Sequence, residues 1–255
     1  MAHNIGQQTM SQTDIVILAA GKGTRMQSAQ PKVLHRLAGR SLLRHVLVAA
    51  ETVVDSQKIV VTGHGAAMVE RSLAPTDTVF VQQAEQLGTA HAVEVALPHL
   101  RDDAKILILY GDVPLIKPET IGKMLAAVTA DSIALLTVTL TDPAGYGRIV
   151  RDSDGLIEAV IEQKDASPDQ LELTEVNTGV LALGCAQLKA WLPQINNNNA
   201  QGEYYLTDLI GLARRHGFWV DSIQPTSINE VEGVNNRIQL SRLERAHQLD
   251  LAEAL

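Results

Sequence analysis

The chain has 255 residues, of which 45% are apolar and 20% charged, and its formal net charge is −8. This length and composition are typical of a soluble protein with one large α/β domain or two small ones. The negative charge argues against a nucleic-acid or anionic-membrane partner, and an aromatic content of 3% argues against stacking platforms for single-stranded nucleic acid.

Cysteine content and hydropathy indicate the cellular compartment that we expect for the chain. Cys185 is the only cysteine, so neither an intrachain disulfide nor a thiolate metal cluster can form, and its apolar surroundings predict a buried, inert thiol. No segment approaches the roughly 18 apolar residues of a membrane span. The N-terminus lacks a secretory core, and we interpret residues 1–13 as a disordered or non-native extension. We therefore expect a cytoplasmic protein.

The first predicted element is the apolar strand Ile15–Leu18, which runs into a loop with glycines at positions 21 and 23. Glycine allows positive φ and close approach to backbone N–H groups, and free N–H groups beside fixed cations bind phosphates. The cations available here are Lys22, Arg25 and Lys32. The pattern favours a phosphate site at the end of the first strand.

Three other interpretations compete for this loop. A dinucleotide fingerprint beginning at Gly21 needs glycine at position 26, where Met26 stands. A Walker loop needs Gly-Lys-Ser/Thr after four intervening residues, and the chain has no such string. A glycine-rich βα turn with surface cations would also fit the loop taken alone.

Apolar strands then alternate with helices as far as position 110. The predicted strands are Ile15–Leu18, Ile59–Val61, Val79–Val81 and Ile106–Tyr110, and the predicted helices are Ser41–Thr52, Ala66–Leu73 and Thr89–Leu100. Ser41 and Thr89 are candidate N-caps. Strands that are apolar throughout predict a parallel sheet covered on both faces, with the loops after the strands gathered at one edge.

Beyond position 130 the pattern changes to more closely spaced strands. The predicted elements are a strand over Ile133–Leu140, a hairpin of Ile149–Arg151 with Leu156–Ile161, and a strand over Val176–Leu183. We expect them to continue the sheet and to cover its active edge. Residues 235–255 predict a helix that ends without a cap signal, which suggests that the natural polypeptide continues.

A set of short motifs falls on the predicted strand ends and loops. They are Leu18–Met26 with Pro31-Lys32, Gln83–His91, Tyr110–Pro114, Gly145–Arg148, Glu162–Asp165, Asn177–Gly179, Glu203–Asp208 and Glu232–Arg237. The first is shared by sugar-1-phosphate nucleotidyltransferases in general. Together, over about 15–248, the motifs resemble the uridyltransferase domain of the bacterial GlmU family, in which an N-acetylglucosamine-1-phosphate uridyltransferase is joined to a glucosamine-1-phosphate N-acetyltransferase.

The resemblance implies a Rossmann-like nucleotide-diphospho-sugar transferase fold. This is an α/β fold with a mostly parallel central sheet, helices on both faces and a β-rich insertion over the active edge. The nucleotidyltransferase domain would span 14–234, and helix 235–255 would begin a linker to an absent acetyltransferase domain. Trimer contacts of intact family members are attributed largely to that domain, so self-association of this chain stays open.

The implied reaction is Mg²⁺-dependent uridylyl transfer from UTP to N-acetylglucosamine 1-phosphate, giving UDP-N-acetylglucosamine and pyrophosphate, a precursor step for peptidoglycan and lipopolysaccharide. The resemblance assigns catalysis to Arg25 and Lys32. It assigns nucleotide binding to Leu18, Ala19, Ala20, Gly21, Gly23, Thr24, Lys32, Gln83, Gly88 and Thr89. The implied sugar contacts are Gly111, Gly147, Glu162 and Asn177.

The residues themselves support part of this assignment. Asp112 follows a buried strand, so its hard oxygen ligand suits Mg²⁺, although it could merely cap the following turn. Asn235 would supply the second metal ligand, as the resemblance implies, but an asparagine before a helix is also a good N-cap. The Gln83 side chain has the donor and acceptor that match the imide edge of uracil, whereas Thr89 could serve both as cap and as nucleotide contact.

Other functions stay open at this point. The same chemistry could use another sugar 1-phosphate or nucleotide. A non-catalytic nucleotide-sugar-binding module is a possibility of another class, but it would not need the metal pair together with both cations. A nicotinamide-dependent oxidoreductase is weakened by Met26.

Overall fold

The computed structural model describes residues 12–253, and its centre is a single nine-stranded sheet. The strands are β1 (Thr13–Ala19), β4 (Ser56–Thr62), β5 (Val79–Gln82), β6 (Lys105–Tyr110), β7 (Ser132–Thr139), β8 (Arg148–Arg151), β9 (Ile157–Ile161), β10 (Glu175–Gly184) and β11 (Trp219–Ile223). A separate two-stranded ribbon is formed by β2 (Arg36–Leu37) and β3 (Arg40–Ser41).

The sheet order is β11-β7-β10-β6-β1-β4-β5, with the β8–β9 hairpin attached to β10. Strands β6, β1, β4 and β5 run parallel, which confirms the predicted parallel half. Strand β10 is antiparallel to both β6 and β7, whereas β11 is parallel to β7. Because β6 ends beside β1, the loops that follow these two strands lie at the same edge of the sheet.

Helices cover both faces of the sheet. They are α1 (Leu42–Ala50), α2 (Ala66–Leu73), α3 (Thr89–Glu94), α4 (Pro118–Ala127), α5 (Pro168–Leu171), α6 (Cys185–Trp191), α7 (Asp208–Arg215) and α8 (Arg237–Glu253). Alternate residues of β1 belong to different hydrophobic clusters: Val16 shares one with residues of α3 and α7, while Ile15 and Ile17 share another with residues of α1 and α4. Burial on both sides explains why residues 15–19 of this strand are all apolar.

Several predicted boundaries need correction. The predicted extension 1–13 overlaps the sheet, since the buried residue Thr13 begins β1; residues 1–11 lie outside the described residues. The helix predicted over 89–100 is α3 followed by a 3₁₀ turn at Leu97–His99, because Pro98 cannot donate to a continuing helix. The N-cap of α3 is Gly88, and Thr89 is its first helical residue. Ser41 does cap α1, accepting from the Arg44 N–H at 3.3 Å.

Candidate active site

Two oxygen ligands and two cations meet where β1 and β6 end. The Lys32 ammonium donates to Asp112 Oδ2 and, at 3.1 Å, to Asn235 Oδ1. The Arg25 guanidinium donates to the same Asn235 oxygen at 3.0 Å. Both oxygens therefore bond to the Lys32 ammonium, although Asp112 is 80 residues and Asn235 is 203 residues from Lys32 in the sequence.

Backbone contacts hold this cluster in place. The Gly111 N–H donates to the Leu18 carbonyl at 2.9 Å, which aligns the end of β6 with the glycine loop. The Val234 N–H donates to the Asp112 carbonyl, also at 2.9 Å, and brings the segment before α8 to the same edge. Asn235 is thereby set beside Asp112.

Capping of α8 falls to the next residue. The Asn236 side chain accepts from the Gln239 N–H at 2.9 Å, as an N-cap does. The Asn235 side chain instead faces Lys32 and Arg25. The sequence left two functions open for Asn235, which were metal binding and capping of the helix. Capping is carried out by Asn236 instead.

The donor set suits a hard cation. The described residues contain no group of three or more His, Cys, Asp or Glu side chains arranged for a metal. The Asp112 and Asn235 oxygens both accept from the Lys32 ammonium and so lie close together, and one carboxylate with one amide oxygen matches Mg²⁺, which binds few protein oxygens and takes its other ligands from phosphates and water. Asp112 and Asn235 therefore fit such an ion chemically.

A cleft of about 280 Å³ opens beside the cluster. Its lining includes most of the predicted nucleotide residues, namely Leu18, Ala19, Ala20, Gly21, Lys32, Gln83, Gly88 and Thr89, together with Asp112. Gly23 and Thr24 are not in this lining; they form the turn that leads into a 3₁₀ helix at Thr24–Met26. A larger, more open depression of about 570 Å³ adjoins it near Lys22.

The cleft also has lining residues that our sequence reasoning did not select, which are Val33, Gln86, Ala92, Tyr110 and Glu203. Tyr110 was accessible to sequence reasoning, because it ends a buried strand two residues before Asp112. Its ring packs against Gly179, where a Cβ atom would lie 2.6 Å from Tyr110 Cε2. Since Gly179 also has a φ of 89°, only glycine fits this contact.

The predicted uracil residues form a connected group at the far side of the cleft. The buried Gln83 amide nitrogen lies 3.2 Å from the Gly88 carbonyl and 3.1 Å from His91 Nδ1. This leaves the Gln83 oxygen to accept from a ligand N–H. The Thr89 hydroxyl accepts from the Leu206 N–H at 3.0 Å, so this side chain fixes the loop before α7.

Replacing Gly88 by alanine is expected to destabilise this group. The φ of Gly88 is 121°, and a Cβ atom there would lie 2.6 Å from the Tyr204 backbone nitrogen. We expect a loss of about 1–3 kcal/mol in the free energy of unfolding, measured by urea titration. Gly122→Ala is the matched control: Gly122 is in helix α4 with open space around it, so its variant should be stabilised slightly. Equal stability changes in the two variants would contradict this expectation.

Three of the four predicted sugar residues lie together: Gly147 and Glu162 flank the β8–β9 hairpin, and Asn177 is in the adjoining strand β10. Gly147 and Glu162 face each other across β8 and β9, since a Cβ atom at position 147 would be 3.4 Å from Glu162 Oε1. The Asn177 N–H donates to the Gly147 carbonyl at 2.9 Å, and Asn177 Oδ1 accepts from the Gly179 N–H at 2.9 Å. Gly111, by contrast, packs against Ala19 and Leu43 next to the metal candidates.

The Glu162 carboxyl lies in an acidic and largely buried setting. Burial raises its pKa above the ordinary value of 4.5, the Thr207 hydroxyl at 3.1 Å opposes that rise, and Asp165, Asp208 and Glu203 add to it. Because its pKa is higher in the folded chain, ionised Glu162 destabilises the fold, and this penalty disappears as the pH falls through the raised pKa towards 4.5.

A pH-dependent gain in stability is therefore expected for Glu162→Gln. At pH 7–8 the variant should have a larger free energy of unfolding than the parent, and the difference should shrink near pH 4.5, as followed by urea denaturation over that range. A difference that stays constant with pH would show that ionisation of Glu162 is not the cause.

Cys185 is buried at the start of α6, as predicted, and burial raises the pKa of its thiol. Across residues 12–253 we find no helix with the length and apolar character needed to cross a bilayer.

The fold and this cleft define an α/β protein with a cleft lined in part by Lys32 and Asp112 at the carboxyl ends of β1 and β6. The chain belongs to the family of MobA-like NTP transferase domains, whose model matches residues 15–167. It is 54% identical over 242 residues to the bifunctional protein GlmU of Cellvibrio japonicus, and 55% identical to that of Stutzerimonas stutzeri. Each match covers 95% of this chain and 53% of the relative, so the chain spans about half the length of these relatives.

Solved structures support the fold. The inositol-1-phosphate CTP transferase from T. maritima superposes with a TM-score of 0.71 at 15% identity, covering 92% of this chain and 95% of that one. A putative glucose-1-phosphate thymidylyltransferase from Bacillus anthracis gives the same TM-score at 14% identity, covering 92% and 94%. Their fold is the nucleotide-diphospho-sugar transferase fold, which confirms the predicted class.

Proposed function

We propose that this chain transfers a uridylyl group from UTP to N-acetylglucosamine 1-phosphate, giving UDP-N-acetylglucosamine and pyrophosphate. The observation that carries the proposal is the convergence of Asp112 and Asn235 oxygens beside Lys32 and Arg25 at the mouth of the nucleotide cleft. The family match and the similarity to GlmU proteins support nucleotidyl transfer. The motifs for uracil and amino sugar support this choice of substrates.

The difficulty of the reaction is bringing two polyanions together. A phosphate oxygen of the sugar phosphate attacks the α-phosphorus of UTP in line with the departing pyrophosphate. This oxygen is already anionic at neutral pH, so the chain needs no strong general base. Its task is to position the reactants and to neutralise charge.

Lys32 and Arg25 neutralise that charge. Only 13% of the Lys32 side chain is exposed, so its ammonium acts on phosphates with little screening by water. Both cations would stabilise the α-phosphate and the leaving pyrophosphate as negative charge moves onto them. Mg²⁺ bound through Asp112 and Asn235 would supply further charge neutralisation for the phosphates.

The remaining candidates select the two substrates. Gln83 would accept from the uracil imide N–H through its oxygen, with the loop at Gly88 and Thr89 closing over the base. Glu162 and Asn177 would bond to the hydroxyl or acetamido groups of the sugar, and Gly147 would offer its backbone. Discrimination follows because a buried polar group left without its partner costs binding energy.

The proposed setting is the cytoplasm, where the product would serve synthesis of peptidoglycan and lipopolysaccharide. A second copy of the chain is a possible partner. Transfer with another nucleotide or sugar is the competing proposal of the same class, and a silent nucleotide-sugar-binding module is the competing proposal of another class.

A panel of substrates separates these proposals. Pyrophosphate release is measured with UTP, CTP, dTTP or GTP against N-acetylglucosamine, glucosamine, glucose and galactose 1-phosphates, each with Mg²⁺. We expect the highest kcat/KM for UTP with N-acetylglucosamine 1-phosphate. A preference for another pair would support the first competitor, and no turnover with any pair would support the second.

A further inference from the structure

Glu230 is a buried carboxylate outside the cleft, with 1% of its surface exposed. Its Oε1 accepts from the Thr226 N–H at 2.8 Å, from the Thr226 hydroxyl and from the Ser227 N–H at 3.2 Å. Its Oε2 accepts from the Thr120 hydroxyl at 2.6 Å, and the Lys117 ammonium lies 3.9 Å from Oε1. A buried charge with this many donors is fixed in both position and orientation.

These donors come from two segments that are far apart in the chain. Lys117 and Thr120 belong to the start of α4, which follows the loop that carries Asp112. Thr226 and Ser227 belong to the turn that leads through buried Val234 to Asn235. One carboxylate thus joins the segment after one metal candidate to the segment before the other.

We infer that Glu230 is a positioning residue, which holds Asn235 in register with Asp112 so that their two oxygens meet at one point. This inference rests on the proposed function, because it concerns the metal pair assigned there. Glu230 does not line the cleft, and it acts through the turn at 226–230.

The charge state of Glu230 supports this role. Burial acts to raise its pKa, but the hydrogen bonds from Thr120 and Thr226 outweigh burial and hold the pKa below its ordinary value. The carboxylate therefore stays ionised at neutral pH and keeps all its donors engaged. The alternative is that Glu230 only stabilises the fold. This alternative has support, because Val231 and Val234 are buried and the Val234 N–H bonds to the Asp112 carbonyl without help from Glu230.

A matched buried carboxylate at the opposite edge of the sheet separates these two roles. Asp14 is fully buried at the start of β1 and accepts from the Arg101 N–H and Nε–H, both at 2.7 Å. Asp14→Ala should destabilise the fold as Glu230→Ala does, yet it lies far from the metal candidates. Thr120→Val and Glu230→Gln are milder variants, and they test the positioning role of Glu230 if Glu230→Ala does not fold.

The test is Mn²⁺ binding in the presence of UTP and without sugar phosphate, followed by the water-proton relaxation rate, with urea unfolding in parallel. Glu230→Ala should bind Mn²⁺ about tenfold more weakly, the magnitude typical of losing support behind metal ligands. Thr120→Val should lose less Mn²⁺ affinity, since Glu230 Oε1 keeps its donors on Thr226 and Ser227. Glu230→Gln should stay nearer the parent, because its amide can still bond to Thr120 and Thr226. Asp14→Ala should bind Mn²⁺ as the parent does.

Two results would overturn the inference, and they differ from failure of the proposed function. Parental Mn²⁺ affinity in Glu230→Ala, or in Thr120→Val if the alanine variant does not fold, would leave only a structural role. An equal loss of affinity in Asp14→Ala would mean that general destabilisation is the cause. If Asp112→Ala kept parental Mn²⁺ binding, the metal site of the proposed function would itself be wrong.

Discussion

Asp112→Ala is expected to lower the rate of Mg²⁺-dependent pyrophosphate release by about a thousandfold or more, equivalent to about 4 kcal/mol of transition-state stabilisation. The variant removes the only carboxylate that meets Asn235 and Lys32 in the described cluster. Charge on the phosphates would then be neutralised by side chains alone. The measurement is kcat/KM for both substrates over a range of Mg²⁺ concentrations.

The surface pair Asp102–Lys189 provides the control for this variant. Asp102 is 85% exposed and pairs with Lys189 at 2.5 Å, well away from the cleft. Asp102→Ala should keep parental turnover, since exposed ion pairs contribute little. Circular dichroism should show that Asp112→Ala retains the fold. Near-normal turnover by folded Asp112→Ala would contradict the metal assignment.

Lys32→Ala has the second largest expected effect. We expect kcat to fall by about 10²–10³, or about 2.7–4 kcal/mol, as when one fixed transition-state donor is removed. The loss should appear in kcat more than in KM, because in the proposed reaction the ammonium would face the negative charge that moves onto the pyrophosphate. The measurement is steady-state pyrophosphate release at saturating UTP and Mg²⁺.

Lys189→Ala is the control for Lys32→Ala, and it should leave both constants unchanged. A rise in KM with an unchanged kcat would mean that Lys32 binds ground state and transition state equally. Its assignment to catalysis would then be wrong, and it would be a nucleotide-binding residue only.

Local patterns predict the first half of the sheet well. Burial on both faces makes residues 15–19 of β1 and 106–109 of β6 continuously apolar, and this pattern can be recognised from the sequence alone. The position of Asp112 at the active edge follows from the same pattern. The parallel pairing of β1 with β4 and β6 confirms the prediction.

Features that depend on contacts between distant residues are harder to predict from the sequence. Thr89 is a plausible N-cap by residue type, yet its hydroxyl bonds to the Leu206 N–H, a contact between residues 117 positions apart. The choice between Asn235 and Asn236 as helix cap is settled by the Val234–Asp112 contact, which no local pattern encodes. Strand β11 also escaped prediction, because Asp221 and Ser222 interrupt its apolar run.

The chemistry of the Gly23–Lys32 loop likewise depends on its distant neighbours. Alone, the loop predicts phosphate binding and cannot distinguish a nucleotide from any other anion. The fold brings it within reach of Asp112, Asn235 and the cleft lined by Gln83. The functional proposal depends on that combination.

The most direct test of the proposal follows the α-phosphorus of UTP. UTP labelled with ³²P at the α-position is incubated with the chain, Mg²⁺ and N-acetylglucosamine 1-phosphate, and the labelled products are separated. We predict that the label moves into UDP-N-acetylglucosamine, with one pyrophosphate released for each molecule formed. Label remaining in UTP, or appearing in UMP with no nucleotide sugar formed, would contradict uridylyl transfer by this chain.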